Sequence, residues 1–118
     1  RLTRDHSLME LMIEAGQITP EEAKTHPQRS VITRALGSAV DTYPDIYELN
    51  IAAGDRLLLC SDGLSNMVSD KVLLQIMTDG SSPEERCRKL VRRANENGGK
   101  DNISAIVIDF REEEAANV

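Results

Sequence analysis

The sequence has 118 residues, which is the size of one domain or of part of one. Its net charge of −6 and its pI near 4.9 argue against a general nucleic-acid binder, because such proteins need a basic surface. Only 3% of the residues are aromatic, so the core must be aliphatic. No apolar run approaches the ~20 residues that span a bilayer, and Cys60 and Cys87 do not suggest a disulfide framework. We therefore expect a cytoplasmic protein with no membrane segment and no nucleic-acid partner.

The N-terminal part of the chain is predicted to contain two helices and a strand. Ser7 and Glu10 have the spacing of a capping box and precede an apolar stripe of helical period. Thr19 and Pro20 begin a second, short helix, because proline fits the first helical turn. Residues 30–36 are predicted to form a strand.

The middle of the chain is predicted to form a β-hairpin. Residues 46–51 alternate between apolar and polar side chains, and a turn at residues 53–55 separates them from a second strand. That second strand, residues 56–61, is almost entirely apolar. Such a composition is expected of a strand that is covered on both faces.

The C-terminal part is predicted to contain two more helices and a last strand. Ser69 caps a helix that runs to about Met77, and Ser82 caps another that opens with a proline. Residues 103–110 are rich in β-branched side chains and predict a strand, and residues 111–118 are a polar tail that is expected to fray. This order of elements predicts a mixed α/β or α+β fold.

Two acids lie next to the two most apolar strands, one after the first strand and one before the second. Asp62 leaves the end of one strand, and Asp101 stands before the other. If these strands pair in antiparallel sense, the two acids lie at the same edge of the sheet. Gly63 and the pair at 98–99 would let the backbone approach closely there. Two carboxylates favour Mg²⁺, Mn²⁺ or Ca²⁺, and the alternative is that each is an ordinary turn acid.

Three other patterns that could carry chemistry have structural explanations. Cys87 and Arg93 have the spacing of a cysteine-phosphatase loop, but the residues between them form an amphipathic helix. Ser61 follows a strand, but Leu59 stands where a nucleophile elbow needs glycine. A basic run is interpreted as the solvated face of a helix. Its members are Arg86, Arg88, Lys89, Arg92 and Arg93.

The chain also resembles a known family through four motifs. These are LTRDHSL, QRSVITRALG, GDRLLLCSDGLSNMV and NGGKDNISAIVI. Over residues 2–110 they resemble the ordered motifs of the bacterial branch of the metal-dependent (PPM or type 2C) serine/threonine protein phosphatases. The resemblance implies an α+β fold, part of an α/β/β/α sandwich of mostly antiparallel sheet flanked by helices. Residues 1–110 would form the C-terminal portion of the catalytic domain, and residues 111–118 the polar tail.

The resemblance also implies a site. Asp62 and Asp101 match two metal-binding aspartates of a centre that holds two or three Mg²⁺ or Mn²⁺ ions in the complete domain. A metal-activated water would hydrolyse phosphoserine or phosphothreonine, so no catalytic side chain is expected. Residues 7–28 resemble a flap that covers the site. Four further residues are predicted on the substrate side or at the edge of the site: Arg34, Ser38, Gly63 and Asn102.

The expected function is that of a hydrolase that acts in signalling on proteins phosphorylated by a serine/threonine kinase. The upstream half of the family domain, with its other metal ligands, is absent from this sequence. We therefore expect the isolated chain to be inactive and to self-associate through exposed sheet edges. The alternative is a non-catalytic module that binds a partner or dimerises through half of the phosphatase fold.

Overall fold

The computed structural model describes residues 1–113. It contains two compact units, one formed by Arg1–Leu49 and one that begins at Asn50. In the described part of the chain, no helix has the length and apolar character that a membrane span requires. Residues 114–118, which belong to the predicted polar tail, lie outside the described residues.

The first unit contains both helices that its sequence predicts. They are α1 (Leu8–Glu14) and α2 (Pro20–Ala23). The Ser7 hydroxyl accepts a hydrogen bond from the Glu10 backbone N–H at 3.2 Å, which caps α1. At α2, Thr19 and Glu22 form a complete capping box. Local capping therefore determines where these two helices begin.

The predicted strands at 30–36 and 46–51 are wrong. Residues 30–36 contribute only an isolated bridge, between Ile32 and Ser7. Residues 46–51 form no strand, and Ile46 is 85% exposed. Such a segment becomes a strand only when it forms a continuous ladder of hydrogen bonds with a partner strand, and neither segment forms one within residues 1–113.

The second unit contains two strands and three helices. The strands pair in antiparallel sense, with Leu58 opposite Val107. Both strands and two of the helices confirm the sequence prediction, whereas the short α3 was not predicted. In chain order the elements are β1 (Arg56–Cys60), α3 (Asp62–Ser65), α4 (Asp70–Met77), α5 (Pro83–Glu96) and β2 (Ala105–Asp109).

An aliphatic core lies between the helices and one face of the sheet. Leu58 and Val107 contribute to it from the sheet. Helix α5 packs on β2 and covers the core on the side away from the sheet. The predicted α+β class, with antiparallel pairing and flanking helices, is confirmed. The buried members of the core are Leu64, Val68, Met77, Leu90 and Ala94.

The opposite face of the sheet is uncovered within the described residues. Leu59 on β1 and Ile106 on β2 are 47% and 59% exposed. They lie opposite each other in the register of the two strands. The prediction that β1 is covered on both faces is therefore wrong for this chain, because α3, α4 and α5 supply only one layer.

The basic run on α5 also differs from its predicted role at one position. Arg86 is only 2% exposed, and its Nη1 donates to Asp109 Oδ1 of β2 at 2.7 Å. Lys89 Nζ donates to Asp79 Oδ2 at 2.8 Å. The interpretation of this run as a solvated face is thus wrong for Arg86, because an acid on the neighbouring strand pairs with it below the surface.

Candidate functional site

Asp62 lies where β1 ends and α3 begins. It is the first residue of α3, and Ser61 is the N-cap. The Asp62 side chain is exposed. It takes part in no hydrogen bond or ion pair with any residue that the structure describes. Both carboxylate oxygens are therefore available to a ligand.

Ser61 joins the end of β1 to the segment that precedes β2. Its backbone N–H donates to Ser104 O at 3.0 Å, and its hydroxyl donates to Asn102 O at 3.2 Å. The same hydroxyl accepts from the Ser104 N–H at 2.9 Å. The hydroxyl is thus occupied structurally, which agrees with the rejection of Ser61 as a nucleophile. No sequence signal pointed to this joining role.

Gly63 lies directly against the backbone of the second acidic segment. A Cβ atom at Gly63 would stand 2.0 Å from Asn102 O, a distance that no side chain can adopt. This close approach brings Asp62 and Gly63 beside Asp101 and Asn102. The juxtaposition of the two acids thus depends on a glycine at this position.

The loop that carries Asp101 is anchored at both ends. Asn97 Nδ2 donates to Met67 O at 2.7 Å. Gly99 has a φ of +52°, which favours glycine. Asp101 Oδ1 accepts from the Asn102 backbone N–H at 2.7 Å, and Asp101 Oδ2 has no hydrogen-bond partner among residues 1–113. The second carboxylate is therefore oriented and still has a free oxygen.

This pair of acids fits a divalent cation only in part. Carboxylate oxygens are the hard ligands that Mg²⁺ and Mn²⁺ prefer. Across residues 1–113, however, no group of three or more His, Cys, Asp or Glu side chains converges. The remaining ligands of an octahedral ion would be water or groups beyond the described residues. The metal-ligand roles of Asp62 and Asp101 stay predictions.

A second cluster lies within the first unit, around Asp45. Its Oδ2 is 2.7 Å from His6 Nε2, and its Oδ1 accepts from Arg34 Nη1 at 2.7 Å. The hydrogen bond from His6, followed by that from Arg34, lowers the pKa of Asp45 to about 2. The carboxylate is therefore ionised at neutral pH. Sequence analysis did not identify Asp45 because its partners lie 39 and 11 residues away.

Arg34 and Ser38 line the same cavity in this unit, which has a volume of about 290 Å³. The Ser38 hydroxyl donates to Ala35 O at 2.7 Å. Arg34 and Ser38 were both predicted on the substrate side, and the structure brings them together. Their contact with a substrate stays a prediction, as do the site-edge roles of Gly63 and Asn102.

Comparison with known sequences finds one family model and several related proteins. The model for stage II sporulation protein E (SpoIIE) matches residues 12–111. Protein phosphatase PhpP of Streptococcus pneumoniae is 43% identical over 115 residues, a match that covers 98% of this chain and 47% of PhpP. Serine/threonine protein phosphatase PstP of Mycobacterium tuberculosis is 41% identical over 111 residues, covering 92% of this chain and 21% of PstP.

Comparison with solved structures gives the same class of protein. The S. agalactiae serine/threonine phosphatase superposes with a TM-score of 0.85 at 39% identity, over 94% of this chain and 46% of that chain. The catalytic domain of PstP in complex with two manganese ions superposes with a TM-score of 0.74 at 36% identity, over 91% and 44%. The chain thus spans about half the length of PhpP and of these solved structures.

Proposed function

The chain belongs to the SpoIIE family of PPM-type protein phosphatases, and from that premise we propose that it supplies one part of a metal-dependent serine/threonine phosphatase site. The observation that carries the proposal is the contact between the Asp62–Gly63 turn and the Asp101–Asn102 segment. The contact joins the two backbone segments that carry Asp62 and Asp101, at the end of the two-stranded sheet. A rigid sheet edge is a suitable position for residues that must hold an ion in a defined geometry.

Several residues of this chain have a defined role in this proposal. Asp62 and Asp101 supply oxygen ligands, and Ser61 holds the two segments that carry them at a constant separation. Gly63 leaves room for the close approach of the backbone. A bound Mg²⁺ or Mn²⁺ would supply Lewis acidity and a lowered pKa for water. Within the first unit, Arg34 is proposed as a substrate-side residue, because a guanidinium matches phosphate geometry.

The proposed substrates are proteins that carry phosphoserine or phosphothreonine. The relatives from M. tuberculosis and S. agalactiae, which are serine/threonine phosphatases, support this class. A partner serine/threonine kinase, a role in signalling and a cytoplasmic location are further parts of the proposal. We also propose that residues 7–28 form the flap and that residues 1–110 belong to the catalytic domain. The isolated chain is proposed to be inactive.

The proposal is tested by joining this chain to the N-terminal half of the S. pneumoniae relative PhpP and measuring phosphate release from a phosphothreonine peptide. We expect hydrolysis that requires Mn²⁺ and stops with a chelator. Asp62→Ala or Asp101→Ala should reduce the rate about 100-fold or more, because stabilising the transition state by a metal is worth several kcal/mol. The matched control is Asp70→Ala, which removes an exposed acid from the equivalent first position of α4.

A binding measurement on the 118-residue chain itself guards against a chimera that does not fold. Mn²⁺ should broaden NMR signals of residues 61–64 and 100–103 at lower concentration than signals elsewhere, and Asp62→Ala should abolish the difference. Full hydrolytic activity in either aspartate variant of a folded chimera would contradict the assignment. It would favour the alternative, a non-catalytic module built on the same half-fold.

A further inference from the structure

The carboxylate of Asp45 joins three separate segments of the first unit. One oxygen is 2.7 Å from His6 Nε2, and the other accepts from Arg34 Nη1 at 2.7 Å. The backbone already holds the first two segments together, because the Thr33 N–H donates to His6 O at 2.9 Å. A single acid therefore restrains two basic side chains, each through its own oxygen.

Arg34 is only partly occupied by these contacts. Its Nη1 serves both Asp45 and the backbone oxygen of Tyr43, at 3.2 Å from the latter. Its Nη2 and Nε donate no hydrogen bond to any of residues 1–113. The residue lines the cavity of about 290 Å³, together with the hydroxyl-bearing side chains of Thr33, Ser38 and Thr42. The Ser38 and Thr42 hydroxyls already donate to Ala35 O, so the free guanidinium N–H groups of Arg34 are the donors that suit a phosphoryl group.

We propose that Asp45 is a positioning residue for substrate, which fixes the guanidinium of Arg34 so that its unused N–H groups bind the phosphoryl group of a phosphorylated peptide in this cavity. The inference rests on the proposed phosphatase function. Asp45 does not itself touch the phosphate, which its charge would repel. Its contribution is to order a long, flexible side chain before the substrate arrives, so that binding loses less conformational entropy. His6 holds the second oxygen of the carboxylate and thereby limits its rotation.

Removal of Asp45 would have two opposing effects on the affinity for phosphate. The direction of the net change therefore tests the proposal. If Asp45 served only to neutralise Arg34, its removal would increase the positive charge of the cavity, and phosphate would bind more tightly. If it positions Arg34, its removal weakens binding. In the chimera with PhpP, Asp45→Asn is therefore expected to raise KM for the phosphothreonine peptide about tenfold and to leave kcat within about twofold.

The matched control is Asp41→Asn, which removes an acid from the lining of the same cavity. Asp41 contacts neither Arg34 nor His6 by a hydrogen bond or ion pair in the described part of the chain. Its substitution should leave KM unchanged or lower it. Asp45→Glu, which retains the charge but displaces it by one methylene, should give an intermediate KM. An unchanged or lowered KM in Asp45→Asn would overturn the proposal.

Phosphate binding by the 118-residue chain gives a readout that does not depend on activity. In NMR spectra of the side-chain N–H groups, inorganic phosphate should shift the signals of Arg34, and Asp45→Asn should weaken this binding about tenfold. Equal phosphate affinity in the two proteins, or no shift of Arg34 in either, would overturn the proposal. If the expected phosphate response appears while a folded chimera hydrolyses nothing, then the phosphatase function fails and the positioning role of Asp45 stands.

Discussion

The absence of a Cβ atom at Gly63 allows the segments that carry the two candidate ligands to lie side by side. The hydrogen atoms of Gly63 face Asn102 O, and any larger group would have to displace the backbone of the second segment. Ser61 reinforces the same contact, because its hydroxyl bonds both Asn102 and Ser104. The separation of Asp62 and Asp101 is therefore set by neighbours of the acids and not by the acids themselves.

At this scale we predict that Gly63→Ala disrupts the site. The new methyl group would lie 2.0 Å from Asn102 O, so the two segments must move apart at a cost of about 1–3 kcal/mol of unfolding free energy. Hydrolysis by the chimera should fall at the same time. Urea unfolding and phosphate release measure the two effects. Gly80→Ala is the matched control, because nothing lies within 4 Å of a Cβ atom at Gly80. Equal effects of the two substitutions would refute the prediction.

Helix α5 is the element that closes the core of the second unit. It presents Leu90 and Ala94 to the sheet, and both are fully buried. The same helix buries Arg86, whose guanidinium pairs with Asp109 at 2.7 Å and so connects α5 to β2 through charge as well as apolar contact. Its opposite side carries the exposed members of the basic run, Arg88 and Arg92. One helix therefore combines the predicted solvated face with an unpredicted buried charge.

The prediction at the element scale concerns Leu90. Leu90→Ala should lower the free energy of unfolding by about 2–5 kcal/mol, because it leaves a cavity in the centre of the core. Leu74→Ala, on the exposed side of α4 at 63% exposure, should cost far less. Thermal and urea unfolding followed by circular dichroism measure both. A loss for Leu74→Ala as large as that for Leu90→Ala would contradict the placement of α5 over the core.

At the scale of the whole molecule, two features matter for stability and association. They are the acids that pair with basic groups and the apolar surface that is exposed. Acids that accept hydrogen bonds from basic groups occur in both units, at Asp45 in the first and at Asp79 and Asp109 in the second. The pKa of Asp79 is lowered by the hydrogen bonds from Lys89 and Ser81, and that of Asp109 by the hydrogen bond from Arg86. Leu59 and Ile106 leave an apolar sheet face exposed. Self-association through exposed sheet edges stays a prediction.

These pKa shifts predict how stability depends on pH. A carboxyl group whose folded pKa is depressed stabilises the fold above its unfolded pKa of about 4 and loses that contribution as the pH falls. The free energy of unfolding should therefore receive a constant contribution from these acids between pH 7 and about pH 5 and decline below about pH 4. Urea unfolding at a series of pH values measures this.

Asp109→Asn is the informative variant for this dependence. It should lower stability at pH 7, because the buried Arg86 loses the charge of its shortest ion pair, and it should make the decline in acid shallower. Asp70→Asn, which removes an acid that makes no ion pair in the described part of the chain, should change neither. Stability that rises as the pH falls from 5 to 3 would contradict the assigned ion pairs.

The amino-acid sequence by itself determined helices α1, α2, α4 and α5, the two paired strands and the four motifs of the family. Helix boundaries at Ser7, Ser69 and Ser82 follow from hydrogen bonds within one turn, and such local interactions can be recognised in a linear pattern. Strands need a partner from elsewhere, so the local residue patterns at 30–36 and 46–51 did not predict correctly whether these segments form strands. The proximity of the segments that carry Asp62 and Asp101 could be anticipated, because it follows from the antiparallel pairing of the two strands.

Only the tertiary structure decided the contacts between distant residues. The burial of Arg86 against Asp109, the hydrogen bonds of Ser61 and the role of Asp45 between His6 and Arg34 join residues between 11 and 43 positions apart. Each contact depends on where the backbone carries the two side chains, and no local pattern records that. The same reason explains the uncovered face of the sheet. Its apolar residues predicted burial, but whether a second layer covers them depends on the elements that pack there.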